Sequence, residues 1–232
     1  MVHLARGRAR NVGAHAALLD AASRALFRRP YRPDVGALAA RLERCAAAER
    51  YPTAVSAFIR LELTAEGGER LLPAGSSLYD GYALRSLLPE AATLRYAPLC
   101  PDLPTSAREA TVQLAAEIVR QSKEAAVAVR CDEQDRMLSA DNAPLFAVCG
   151  ERIYGSPTAP SVEAELVREA VRRLGLTLCE EAPRRSDLSR IEELFYVDHR
   201  GITALSHCDG VPFMALRAER IAEAMEGIFQ KM

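Results

Sequence analysis

Imine chemistry needs an amine that can shed its proton, and this sequence offers very few. Of its 30 lysine and arginine residues only Lys123 and Lys231 are lysines. A guanidinium never deprotonates into a nucleophile, so a side-chain Schiff base is confined to those two positions. Lys123 closes an apolar-periodic run, 107–123, where a cation complements the helix dipole. Lys231 is the penultimate residue, where chains are least ordered. A second candidate lies in residues 191–210, IEELFYVDHRGITALSHCDG. Two β-favouring runs, 194–197 and 202–208, flank the turn Asp198-His199-Arg200-Gly201, in which Gly201 is free to take positive φ. Unpaired N–H groups at Ile202 and Thr203, beside the Thr203 hydroxyl, would form a phosphate nest without a lysine. Asp198, His199 and Arg200 would line that cleft, and the adjacent Asp198 and His199 could relay a proton. The same residues also suit an ordinary surface hairpin.

Several elements must position these groups. Helical spacing predicts helices over 15–27, 35–50 (capped by Asp34), 107–123, 161–174 (capped by Ser161, with Gly175 after it) and 214–229. Strands are expected over 54–64, 77–84, 92–99, 125–131 and 144–148. Pro89 marks a connector, which divides the chain into a smaller α/β domain, 1–85, a linker, 86–92, and a larger α/β domain, 93–232.

The segment EELFYVDHRGITALSHCDG resembles the corresponding segment of the class IV aminotransferases, the fold-type IV pyridoxal-phosphate enzymes. That family includes branched-chain and D-amino-acid aminotransferases and aminodeoxychorismate lyase. The stretches from Gly7 through HAALLDAA and PLFAVCGERIYGSP resemble further family segments, in the same order and spacing. The resemblance implies a two-domain α/β (α+β) fold, a pyridoxal phosphate cofactor and a homodimer. It also implies that family strands preceding this point are shortened here. By the resemblance, Gly201, Ile202 and Thr203 would hold the cofactor phosphate.

Carried over residue by residue, the resemblance keeps the scaffold and loses the chemistry. The phosphate-gripping arginine falls at Leu18. The imine lysine falls at Ser106, or at Thr105 or Pro104 by a count from the other side, and the ring-nitrogen glutamate falls at Ser139. The asparagine of the following strand is Pro144. The expectation is a pseudoenzyme that binds a small-molecule ligand or phosphate-bearing metabolite without a covalent pyridoxal adduct. The alternative is a divergent active aminotransferase or lyase.

Composition narrows the classes further. A net charge of −1 gives no basic face for nucleic acid, and no apolar run approaches the length of a membrane span. Six cysteines without a CxxC pair read as reduced thiols of a cytoplasmic protein. His199, His207 and Cys208 match no closed metal site, so no metal is expected.

Overall fold

A computed structural model describes residues 1–85, 87–156 and 160–229; Pro157, expected to close a strand pair, and Lys231 lie outside the described residues. The chain divides into two units, Met1–Ala83 with Glu226–Met232, and Leu84–Met225.

In the first unit β1 (Val2–Ala5) turns at Arg6 and Gly7 into β2 (Arg8–Ala9), then α1 (Val12–Phe27) and α2 (Val35–Ala48) follow, and β3 (Ala57–Leu63) and β4 (Glu69–Ser76) complete it. Gly7 has φ +70°, which suits a residue without Cβ in so short a turn. The four strands form one sheet in the order β2-β1-β3-β4. Asp34 caps α2 as expected, accepting from Ala37 N at 2.7 Å. Leu38 and Leu42 of α2 bury against Val2, Leu4 and Ile59 of the sheet.

The strand expected at 77–84 is absent over most of its length; the extended segment is β4 instead. The reason is where the amides go. Gly81 N donates to Ser56 Oγ at 2.7 Å, and Tyr82 N to the Glu226 carboxylate. Ser56 also exchanges backbone bonds with this segment, its N donating to Tyr79 O and its carbonyl accepting from Ser77 N, both at 2.8 Å, so a single residue and two side chains take up the groups a ladder would need. β4 is an edge strand, which is why it tolerates Pro73 opposite Ile59, where the ladder shifts register.

From Leu84 the second unit runs β5 (Ala83–Arg85), β6 (Glu90–Arg95), α3 (Ser106–Lys123), β7 (Val127–Cys131), β8 (Met137–Ala140), β9 (Ala143–Cys149), β10 (Arg152–Gly155), α4 (Val162–Arg173), β11 (Thr177–Cys179), a 3-10 turn (Arg185–Arg190), β12 (Glu193–Asp198), β13 (Gly201–Ala204), β14 (His207–Cys208), β15 (Val211–Pro212) and α5 (Leu216–Phe229) as far as Met225. The main strand order is β15-β14-β6-β7-β8-β9-β12-β13-β5, with β10 and β11 continuing from β9. β6 begins at Glu90, inside the segment expected as a linker, because it pairs in parallel with β7 through the α3 crossover. One face of this sheet packs Val127, Val129, Leu145, Ala147 and Leu194 together, and the α3 side packs Ala92, Ala128 and Val119. Phe146 stacks on Phe195 with centroids 5.4 Å apart and planes 14° from parallel. The buried Glu193 carboxylate accepts from Arg217 N and Ala218 N at 2.7 and 2.8 Å, capping the start of α5.

All six cysteines are free thiols. Among the described residues no helix is long and apolar enough to cross a membrane.

Candidate functional site

β12 and β13 form the hairpin anticipated around Gly201. The register sets Asp198 opposite Gly201, Val197 opposite Ile202 and Tyr196 opposite Thr203. The positive φ falls on Gly201, at +120°, and the Asp198 carboxylate holds the turn by accepting from Arg200 N at 2.8 Å. Alternation then puts Asp198, Tyr196 and Thr203 on one face and Val197 and Ile202 on the other.

Ile202 and Thr203 lie in the middle of β13. β13 has hydrogen-bonded neighbours on both edges, β12 and β5, so its backbone belongs to the ladder. Ile202 and Thr203 are both fully buried. What the face presents is a side-chain cluster. Arg85 Nη1 donates to Thr203 Oγ1 at 3.3 Å and stands 3.8 Å from the Asp198 carboxylate. Tyr196 stands opposite Thr203 across the hairpin, and burial raises the pKa of its hydroxyl. Burial pushes the Asp198 carboxyl up as well. Glu163, second residue of α4, has its carboxyl raised by burial, with the nearby Asp198 charge adding to the shift. One Glu163 oxygen accepts from Ser161 Oγ at 3.0 Å, and the other lacks a hydrogen-bond partner among the described residues. Arg85, Tyr196 and Glu163 had no sequence signal. Arg85 meets Thr203 across 118 positions of chain, and no local periodicity reports a pairing of that range.

Ser106 is the first residue of α3, exposed, with Thr105 capping the helix by accepting from Arg108 N at 3.1 Å. Ser139 lies on β8 between Arg130 of β7 and Pro144 of β9, and its hydroxyl donates to Asp141 O at 3.1 Å. Leu145, next along β9, aligns with Tyr196 and so with Thr203. Consecutive strand residues face opposite ways, so the register turns Ser139 and Thr203 to opposite faces of the sheet. Ser139 and Ser106 share the side that α3 covers.

Lys123 ends α3 and is exposed, with its Nζ donating to Thr93 O at 2.7 Å. Ser106 is at the other end of this 18-residue helix, a rise of about 26 Å away. It borders two hollows of about 260 and 310 Å³, lined chiefly by β6, Arg185, His207 and Asp209. There Asp209 accepts from Thr93 N and Oγ1 at 2.9 and 2.6 Å and pairs with Arg185 at 2.9 Å.

The fold these elements build is that of the fold-type IV aminotransferases. The chain is similar to an aminotransferase from Mycobacterium tuberculosis, described as hypothetical, in its PLP-bound form, with a TM-score of 0.80 and 17% identity over 99% of this chain and 87% of that one. It is also similar to the branched-chain aminotransferase of Thermoproteus uzoniensis solved with norvaline, with a TM-score of 0.78 and 16% identity over 99% and 84%. The branched-chain amino acid aminotransferase of Escherichia coli matches with a TM-score of 0.75 and 17% identity over 98% and 84%. No protein-family model and no curated protein matches the sequence. At these identities the likeness establishes the fold.

The described residues do not fit an imine-held pyridoxal phosphate. Among the described residues Lys123 is the only lysine, and its amine is bound to a carbonyl at the far end of α3. The start of α3 and the middle of β8 carry the hydroxyls of Ser106 and Ser139.

Proposed function

We propose that this chain is a small-molecule-binding protein built on the class IV aminotransferase fold, without covalent pyridoxal chemistry, and that it works as a homodimer. The observation that carries this reading is the place of Lys123. A Schiff base needs an unprotonated amine in contact with the carbonyl carbon, and about 26 Å of helix cannot be bridged by one side chain. Two features support binding in place of catalysis. The Arg85–Thr203–Asp198–Tyr196 cluster is polar, partly buried and made by rigid strands. The hydroxyls of Ser106 and Ser139 cannot serve as an imine amine or as a charged partner for a pyridinium.

The Arg85–Thr203 pair favours one other reading, a divergent enzyme that grips a cofactor phosphate at this hairpin. Incubating the purified protein with pyridoxal phosphate separates the two. The binding-protein reading expects no visible imine band and no site-specific adduct after borohydride. An adduct mapped by peptide mass spectrometry to one lysine, and lost when that lysine is replaced by alanine, would overturn it. Sedimentation giving a monomer at micromolar concentration would remove the homodimer.

A further inference from the structure

Arg168 shows how this protein keeps an arginine in its interior. It is 8% exposed, and its guanidinium is answered by Glu165 at 2.7 Å, Glu180 at 3.7 Å and the Ser156 carbonyl at 3.3 Å. Arg108 and Arg130 are buried at least as deeply, 7% and 5% exposed. Neither guanidinium has an ion pair or hydrogen bond among the described residues, and the Nε of each is buried without a partner. Arg108 lies in the first turn of α3, and Arg130 lies on β7 between Leu94 and Ser139, on the side of the sheet that α3 covers.

The two cations also sense each other. Burial lowers the pKa of both, and the Arg130 charge lowers Arg108 further. Tyr96 brings a third donor: its hydroxyl is buried without a partner, and burial raises it to about 12, so it keeps its proton. The acids with electrostatic reach do not answer the pair. Asp102 is exposed, and Asp132 is committed to Arg136 at 2.6 Å. An unpaired buried charge is among the costliest arrangements in a protein, and two of like sign cost more. A counter-anion between them would remove that cost.

We propose that Arg108, Arg130 and the Tyr96 hydroxyl bind the oxyanion group of a small metabolite, a phosphate or a carboxylate. The proposal rests on the binding-protein reading and supplies its ligand chemistry. Two planar guanidinium forks match the charge of a phosphate dianion and the bidentate geometry of either group. Arg108 N already donates to Thr105, so the site is made by side chains and does not lean on the helix end. It lies beside Ser106 and Ser139, where a pyridoxal enzyme of this fold would need an amine and an acid.

Calorimetry and thermal melting with inorganic phosphate and with succinate, each against chloride at matched ionic strength, test the site. The expected result is saturable binding of one or both, and the stronger of the two identifies the source of the oxyanion. Arg108→Met and Arg130→Met should each weaken that binding at least about tenfold, since each removes a charge-assisted contact. Arg190→Met, on the exposed 3-10 turn, should leave it unchanged. Without anion, the two site variants should melt no lower than the parent, because each relieves an uncompensated charge. Arg130→Lys, which keeps the charge and loses the fork, should bind at intermediate strength and covers the case of a variant that does not fold. Equal response to chloride, unweakened binding by the variants, or lower melting with an unchanged anion response would overturn the proposal. A borohydride-trapped lysine would sink the binding-protein reading and leave these anion titrations readable by themselves.

Discussion

Asp209 joins three parts of the second unit, and its loss should be felt as a defined amount of stability. Its side chain is 15% exposed, accepts from Thr93 N and Oγ1, and pairs with Arg185. A hydrogen bond to a charged group contributes about 1.5–3 kcal/mol, and two that share one carboxylate do not add in full. Arg185 is half exposed, so its pair adds under about 1 kcal/mol. Asp209→Ala should therefore cost about 3 kcal/mol, or about 6–12 °C of Tm in a chain of this size. Despite the opposing effect of burial, the Thr93 hydrogen bonds and the Arg185 charge hold this carboxyl below its ordinary value. A depressed native pKa gives stability that is present above the unfolded value, near about 3.9, and lost as pH falls through the native one. Urea titrations of parent and variant, followed by circular dichroism, should show a constant gap from about pH 5 to about pH 8 that closes in stronger acid. A neutral-pH gap below about 1 kcal/mol, or one that persists undiminished in acid, would refute the reasoning.

Asp198 is expected to behave in the opposite sense. Burial raises its carboxyl, so the native state prefers the protonated form and is penalised as pH rises above the ordinary carboxylate range. Asp198→Asn should raise Tm at neutral pH, with the advantage gone below about pH 4; an equal gain at both extremes would contradict the linkage. Gly155→Ala would set a Cβ 2.7 and 2.9 Å from two ring carbons of Phe146, which is pinned by its stack on Phe195. It should destabilise by about 1–3 kcal/mol, and the double variant with Phe146→Leu should recover part of that loss. A neutral Gly155→Ala melt would show that the ring moves freely.

The sequence by itself determined the parts whose causes are local. Asp34 and Ser161 occupy cap positions that short-range hydrogen bonds define, and the helices begin beside them. The hairpin at Gly201 follows from two β-favouring runs and one residue able to take positive φ. The near-absence of lysine is a fact of composition and restricts the chemistry under any fold. Three things required the tertiary structure. β4 exists because β3 offers it an edge, and 77–82 is irregular because Ser56 and Glu226 take its amides. The end of α5 joins the first unit, which no reading of the chain in linear order can reveal. The engagement of Thr203 by Arg85, the separation of Ser139 from Thr203 and the burial of Arg108 and Arg130 on the side that α3 covers all depend on strand order, register and helix packing. Side-chain pattern records the period of a strand but not its neighbours. Which charges become buried together is decided only when distant strands pair, since burial and partner supply depend on the whole sheet and its covering helices.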